Sequence, residues 1–265
     1  MNDFPITIAE ARTLVAAPLW PRIRAFLWDF ASLCDPARLV AALSLGGSGV
    51  SPDLLAGGSG NLPRLLSTLS GGSGVSPDRL PPRLAREALR SLGLSPVFHP
   101  FPVSDGSRLL LLSREDYDRL AQFLGVVAFA PALRRVTLGA DVRALRAALP
   151  GIYPEAPAFA PYFHRFEALF ASLPGGSGGN APRPLQAEAV SAAGHSLLAL
   201  ALSSLPPPLL LRQRLRFPEG SPADVALANL GSGSVPEASA SGSALAAAQL
   251  ALKLSNLQEY KACFS

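Results

Sequence analysis

Sulfur and lysine are scarce in these 265 residues: one methionine, two cysteines and, among 23 basic residues, only Lys253 and Lys261 as lysines. Two cysteines as far apart as Cys34 and Cys263 make no disulfide framework and point to a reducing compartment. The lysine deficit is read as base composition of the encoding genome, not as selection for bidentate phosphate contacts. Charge is thin as well, at 16% of residues with a net +4. Spread over this length the surplus makes a weak average field, so neither a nucleic acid nor another polyanion is expected as partner. Long apolar runs are also missing. The best candidate, Leu197 to Leu205, is broken by Ser203, Ser204 and the prolines 206–208, whereas a membrane span needs about 20 apolar residues. The first residues, Met1 to Pro5, lack the basic-then-apolar pattern of a secretory signal. The expected location is cytoplasmic, with any membrane attachment made through a partner and no direct insertion.

What is abundant is apolar material: 49% of residues are hydrophobic and the mean hydropathy is +0.28. That excludes wholesale disorder and is ample for a core. The length admits one large domain or two small ones. The expectation is a mainly α, compact multi-helix single domain over 1–265 with Gly/Ser-rich loops and an N-terminal subregion at 1–95.

Gly-Gly-Ser-Gly occurs at 46–49, 57–60, 71–74 and 175–178, twice within an identical octet ending in Asp53 and Asp78. Glycine's backbone freedom makes such runs connectors, either natural low-complexity loops or engineered loop replacements. Flexible spacers are therefore expected at 46–60, 71–77, 175–180 and 231–243.

Between them apolar residues recur at helical intervals. Thr7 and Glu10 fit a capping box; Pro18 and Pro21 precede Ile23, Leu27 and Phe30. Asp35-Pro36 reads as an N-cap and first-position proline opening a helix through Leu39, Val40 and Leu43. Asp78 to Leu92 reads as helix. Pro96 to Leu112, with its prolines and Asp105-Gly106, is the weakest helical stretch, and a short extended segment is expected near 96–112. Ser113 with Asp116 then caps the clearest helix, with Tyr117, Leu120, Leu124 and Val127 on one face. Pro131 interrupts it, and Asp141 caps a helix bearing Val142, Leu145 and Leu149. Phe159, Tyr162, Phe163, Phe166 and Phe170 form an aromatic stripe, read as core packing over a cofactor box. Val190, Gly194, Leu197, Leu198, Ala201 and Leu205 outline another helix, and Leu245 to Phe264 a terminal one. In 209–217 leucines alternate with Arg212, Arg214 and Arg216. Period alone favours a strand there, but proline at the start favours a helix, and helix is preferred.

Chemistry-bearing constellations are few. His99, His164 and His195 have no partner at metal-ligand spacing, and no P-loop or dinucleotide fingerprint is visible, so neither metal nor cofactor is expected. Gly194-His195-Ser196-Leu197-Leu198 approaches the G-x-S-x-G nucleophile elbow. Leu198 stands where the second glycine belongs, however, and an alanine-rich helical run precedes it where a strand is required. A serine hydrolase or acyltransferase centred on Ser196 is therefore a remote alternative, and catalytic residues are expected to be none. The arginines 134, 135, 143 and 146, like those at 212, 214 and 216, lack the interleaved aromatics of a base-stacking surface. They read as a solvated face or as contacts to an acidic protein.

Ser113-Arg114-Glu115-Asp116-Tyr117-Asp118-Arg119-Leu120, running into Leu124-Gly125-Val126-Val127 and Ala130-Pro131-Ala132-Leu133-Arg134-Arg135-Val136, resembles the central signature of the SctK family. These are the YscK/PscK-type accessory proteins of bacterial type III secretion. Asp141 to Arg146 continues the likeness. A second block, Ala193-Gly194-His195-Ser196-Leu197-Leu198 to Leu205-Pro206-Pro207 and Leu211 to Leu215, is similar to the family's glycine-bearing helix, proline stop and basic-apolar segment. The glycine-serine spacers depart from the family's pattern. The resemblance implies a mostly helical, non-enzymatic adaptor of the sorting platform, linking the cytoplasmic domain of the inner-membrane ring protein (SctD) to the pod protein (SctQ) at the cytoplasmic face of the inner membrane. A helical scaffold of another assembly is the alternative. Candidate partner-binding residues are Arg134, Arg135, Arg143 and Arg146.

Overall fold

The computed structural model describes residues 20–28, 30, 33–45, 88–90, 92, 94, 104–133, 136, 139–149, 164–166, 169–170, 186–230 and 237–254. Among these no residue is in a strand, and the regular structure is helical. The helices are α1 (Trp20–Trp28), α2 (Pro36–Leu45), α3 (Asp105–Leu109), α4 (Arg114–Ala128), α5 (Ala130–Leu133), α6 (Gly139–Ala148), α7 (Ala187–Leu202), α8 (Pro207–Leu215), α9 (Pro222–Leu230) and α10 (Glu237–Leu254). The mainly α expectation holds. The chain divides into two compact units, one drawn from 1–101 and 207–219, the other from 102–206 and 220–265.

In the first unit the Asp35 carboxylate accepts the Ala37 N–H at 3.0 Å and opens α2, as its position before Pro36 predicts. Ile23, Phe26 and Phe30 are buried, with Phe26 and Phe30 edge to face at 5.6 Å. Leu39, Cys34, Leu209, Leu215 and Phe217 are buried in the same unit. The segment 207–219 thus serves this unit, an assignment that a subregion ending at residue 95 does not contain. The alternating 209–217 stretch is helical, because proline's fixed φ suits the first turn and backbone bonding along the axis outweighs the period-two pattern.

In the second unit the local sequence sets the helix starts. Ser104 accepts the Ser107 N–H, and Ser107 returns the favour to the Ser104 N–H, a capping box that makes α3 out of the described part of the 96–112 stretch. The extended segment expected there is replaced, over 104–112, by a helix and following turns; 96–103 lies outside the described residues. At Ser113 the hydroxyl accepts from the Asp116 N–H at 3.0 Å and starts α4. Tyr117, Leu120, Leu124 and Val127 are all buried, as their spacing requires.

Three boundaries differ from expectation. The break after α4 falls at Phe129, and Pro131 sits inside α5, where a first turn tolerates it. Helix α6 starts at Gly139, placing Asp141 in its first turn instead of at the cap. Helix α10 starts at Glu237, inside the 231–243 stretch expected as spacer, since alternating alanine carries a helix through isolated serine and glycine. The Thr7–Glu10 box, most of 78–92, the four Gly-Gly-Ser-Gly runs and Phe159, Tyr162 and Phe163 lie outside the described residues.

Helix α7 is the axis of this unit, packing against α4, α10, α9, α3 and α6. Val190, Leu197, Leu198, Ala199, Ala201 and Leu202 are buried, so the helix is apolar around most of its circumference, as a central helix must be. Phe166 and Phe170 are buried in the same unit, in keeping with the stripe's reading as core.

Candidate functional site

The two sequence blocks that carry the family likeness are the two sides of one helix crossing. Ala121 and Gly125 of α4 face Gly194 and Val190 of α7 in antiparallel order. A methyl group at Gly194 would occupy the place of the Ala121 carbonyl oxygen, and one at Gly125 that of the Val190 carbonyl oxygen. Both glycines are therefore dictated by close backbone approach. A third close pass brings Gly106 of α3 against α7, where an added Cβ would lie 2.8 Å from the Ala201 carbonyl oxygen.

Beside this crossing lies the only described histidine that is buried. His195 is 4% exposed; its Nδ1 lies 2.9 Å from the Ser191 carbonyl one turn back, and its Nε2 3.1 Å from Asp118 Oδ1 on α4. The Asp118 side chain is 43% exposed, so the pair tethers the crossing at its rim. Tyr117 packs against the imidazole with ring centroids 6.2 Å apart.

Ser196, the remote hydrolase candidate, sits within the unbroken α7. Its hydroxyl donates to the Ala192 carbonyl at 2.9 Å, the usual back-bond of a helical serine. An elbow needs a strained strand-to-helix turn, and the glycine of the motif is instead consumed by helix packing. His164, on the aromatic segment, is exposed. Among the described residues no group of three or more histidines, cysteines and carboxylates is placed to hold a metal ion.

The first unit holds a constellation that the sequence did not disclose. Arg212 and Arg216, read as solvated or partner-facing, are 3% and 5% exposed. From α8, one Arg212 nitrogen donates to the Phe26 carbonyl at 2.9 Å and to the Leu27 carbonyl at 2.8 Å. It thereby bonds two carbonyls in the last turn of α1, where a cation also complements the helix dipole. Its guanidinium lies over the Phe30 ring at 5.3 Å, and Arg216 donates to the Gln213 side-chain oxygen at 2.9 Å. Burial pulls the Arg212 pKa below its ordinary value, while Cys34 opposes that shift. The Cys34 thiol is pushed up to about 12, first by burial and against the opposing pull of Arg216 and Arg212. A thiol so held stays neutral and unreactive. The run of arginines at 212, 214 and 216 was visible, but the carbonyls that Arg212 serves stand 186 and 185 residues earlier, beyond any local pattern.

Of the partner-binding candidates, Arg143 and Arg146 lie exposed on α6, while Leu145 of the same helix and Leu149 just beyond its end are buried. Arg134 and Arg135 lie outside the described residues. No described helix is long and apolar enough to cross a membrane.

The model of the family described as YOP proteins translocation protein K (YscK) matches residues 65–265. No curated protein and no solved structure matches. The matched span contains both sides of the α4–α7 crossing, the capping serine ahead of α4, the proline-started α8 and the whole of α10. This chain belongs to the YscK family and is a component of type III secretion.

Proposed function

We propose that this protein is a non-enzymatic adaptor of the type III secretion sorting platform. It links the cytoplasmic domain of the ring protein SctD to the pod protein SctQ and is held peripherally at the cytoplasmic face of the inner membrane through those partners. The observation that carries the reading is membership of the YscK family over 65–265. The chemistry of the described side chains is in keeping with it. Gly194 and Ser196, the residues that suggested a nucleophile, are used for helix contact and back-bonding. The buried Arg212 holds the end of a helix. An adaptor needs preformed surfaces rather than a reacting pocket, and a contact of standard size buries about 800 Å² on each partner. Tight helix packing supplies the rigidity that keeps the ordering cost of such a contact low.

The test is a bridging measurement. Purified SctD cytoplasmic domain and SctQ are sedimented with and without the chain; each is expected to bind it alone, and the two to co-sediment only in its presence. Intact, folded protein that binds neither at micromolar concentration, or that binds them only in mutual exclusion, would overturn the linking role.

A further inference from the structure

We propose that the outward face of α6 is a docking surface for an acidic helical segment of a platform protein, an inference that rests on the adaptor reading. Helix α6 commits one edge to its own unit: Leu145 and Leu149 are buried and Val142 is half-buried. The remaining described positions, Arg143, Ala144, Arg146, Ala147 and Ala148, are exposed.

Arg143 and Arg146 stand three apart and so are neighbours on the helix surface. No carboxylate stands three or four residues from either one: those positions are Gly139, Ala140, Ala147, Val142, Leu149 and Pro150, besides the two arginines themselves. Within α6 the two like charges thus stand side by side with no carboxylate one turn away, an arrangement that is unfavourable in the free helix and is relieved by opposite charge from outside it. The neighbouring alanines keep the surface between them low, so another helix can come close. Each guanidinium presents a planar fork that matches a glutamate or aspartate in bidentate geometry.

Charge complementarity therefore selects the occupant. Two cations within one helical turn suit a pair of carboxylates spaced three or four apart on a partner helix. They are too few for an anionic lipid surface, which draws on clusters of four to eight basic residues. The exposed face also carries no aromatic on which a base would stack.

The test is titration calorimetry of the full-length chain against the SctD cytoplasmic domain and, separately, SctQ, at low and high salt. Four proteins are compared: wild type, Arg143→Glu/Arg146→Glu, Arg143→Gln/Arg146→Gln, and a control of equal charge change on exposed arginines of α1, Arg22→Glu/Arg24→Glu. Affinity for one of the two partners is expected to fall about tenfold or more in the reversal, less in the glutamine variant and less than about twofold in the control, with wild-type affinity declining as salt rises. Wild-type binding that the reversal leaves unchanged for both partners, or that the α1 control weakens equally, overturns the docking surface while leaving the adaptor reading in place. Failure of the wild type to bind either partner overturns both. A wild-type dimer that the reversal separates, with partner binding unaltered, makes the occupant a second copy and overturns the proposal. If circular dichroism shows the glutamate variant unfolded, the glutamine variant decides by the same criteria.

Discussion

The two units solve the same problem, packing helices without stranding polar backbone, in opposite ways. In the unit containing α4 and α7 the backbones approach until only hydrogen fits between them, at Gly125 and Gly194, and the polar tether of His195 to Asp118 is kept at the rim. In the unit containing α1 and α8 a long cationic side chain is drawn inside to meet two carbonyls in the last turn of a helix. The first device tolerates no added atom. The second tolerates no lost donor.

The sharpest test of that contrast is Gly194→Ala. Because the new methyl meets a backbone oxygen rather than a flexible side-chain end, the crossing must open. A loss at or beyond the upper end of the usual overpacking range, about 3 kcal/mol or more, is expected in urea melts. Two residues further on, Ser196→Ala removes a hydroxyl that serves only its own helix, and its loss should move stability by less than about 0.5 kcal/mol. Equal effects at 194 and 196 would break the packing account.

Next comes Arg212→Met, which keeps much of the volume and apolar stem but removes the donor. Leaving the Phe26 and Leu27 carbonyls without it should cost about 2–3 kcal/mol. Lysine at 212 should restore only part, since it lacks the planar guanidinium that lies over the Phe30 ring. A stable Arg212→Met protein would show that the buried cation contributes little.

The last effect, confined to alkaline pH, concerns Cys34. Its thiol is raised to about 12 in the folded chain, while an unfolded thiol titrates at about 8.5. The sign follows from linkage: the raised value favours the folded state in full below the unfolded pKa, and that advantage is lost as pH climbs through the alkaline range toward the folded value. Unfolding free energy measured in a Cys263→Ser background should therefore decline more steeply above pH 9 than in the same background with Cys34→Ala. Native Cys34 should also resist a thiol-disulfide reagent at pH 8 until the chain is unfolded.

The contrast also explains what could be read in the residues. Much in the second unit that depends on near neighbours was legible: the Ser113–Asp116 cap, the stripe from Tyr117 to Val127 and the apolar girth of α7. Those signals are short-range, and hydrogen bonds within one turn fix them. Gly194 was noticed as a chemical motif because a glycine-histidine-serine string looks the same whether it bends around a nucleophile or lets two backbones meet. Helix α3 was missed because the prolines and Asp105-Gly106 masked two serines three apart that cap each other. Arg212 and Arg216 were misread as surface residues because a buried arginine is recognised only by its acceptors. Of the candidate partner residues, Arg143 and Arg146 could be placed on a face by spacing alone, which is why they carry the docking proposal.

The path of the chain has a consequence for how this protein comes into being. Residues 207–219 interrupt the second unit to complete the first, and Arg212 reaches carbonyls 186 and 185 positions earlier. On the ribosome, α1 must wait, its terminal carbonyls wetted by solvent, until most of the polypeptide has emerged. No single cut yields either unit by itself: a fragment ending before 207 forfeits the guanidinium, and one beginning after 101 retains it with nothing to cap.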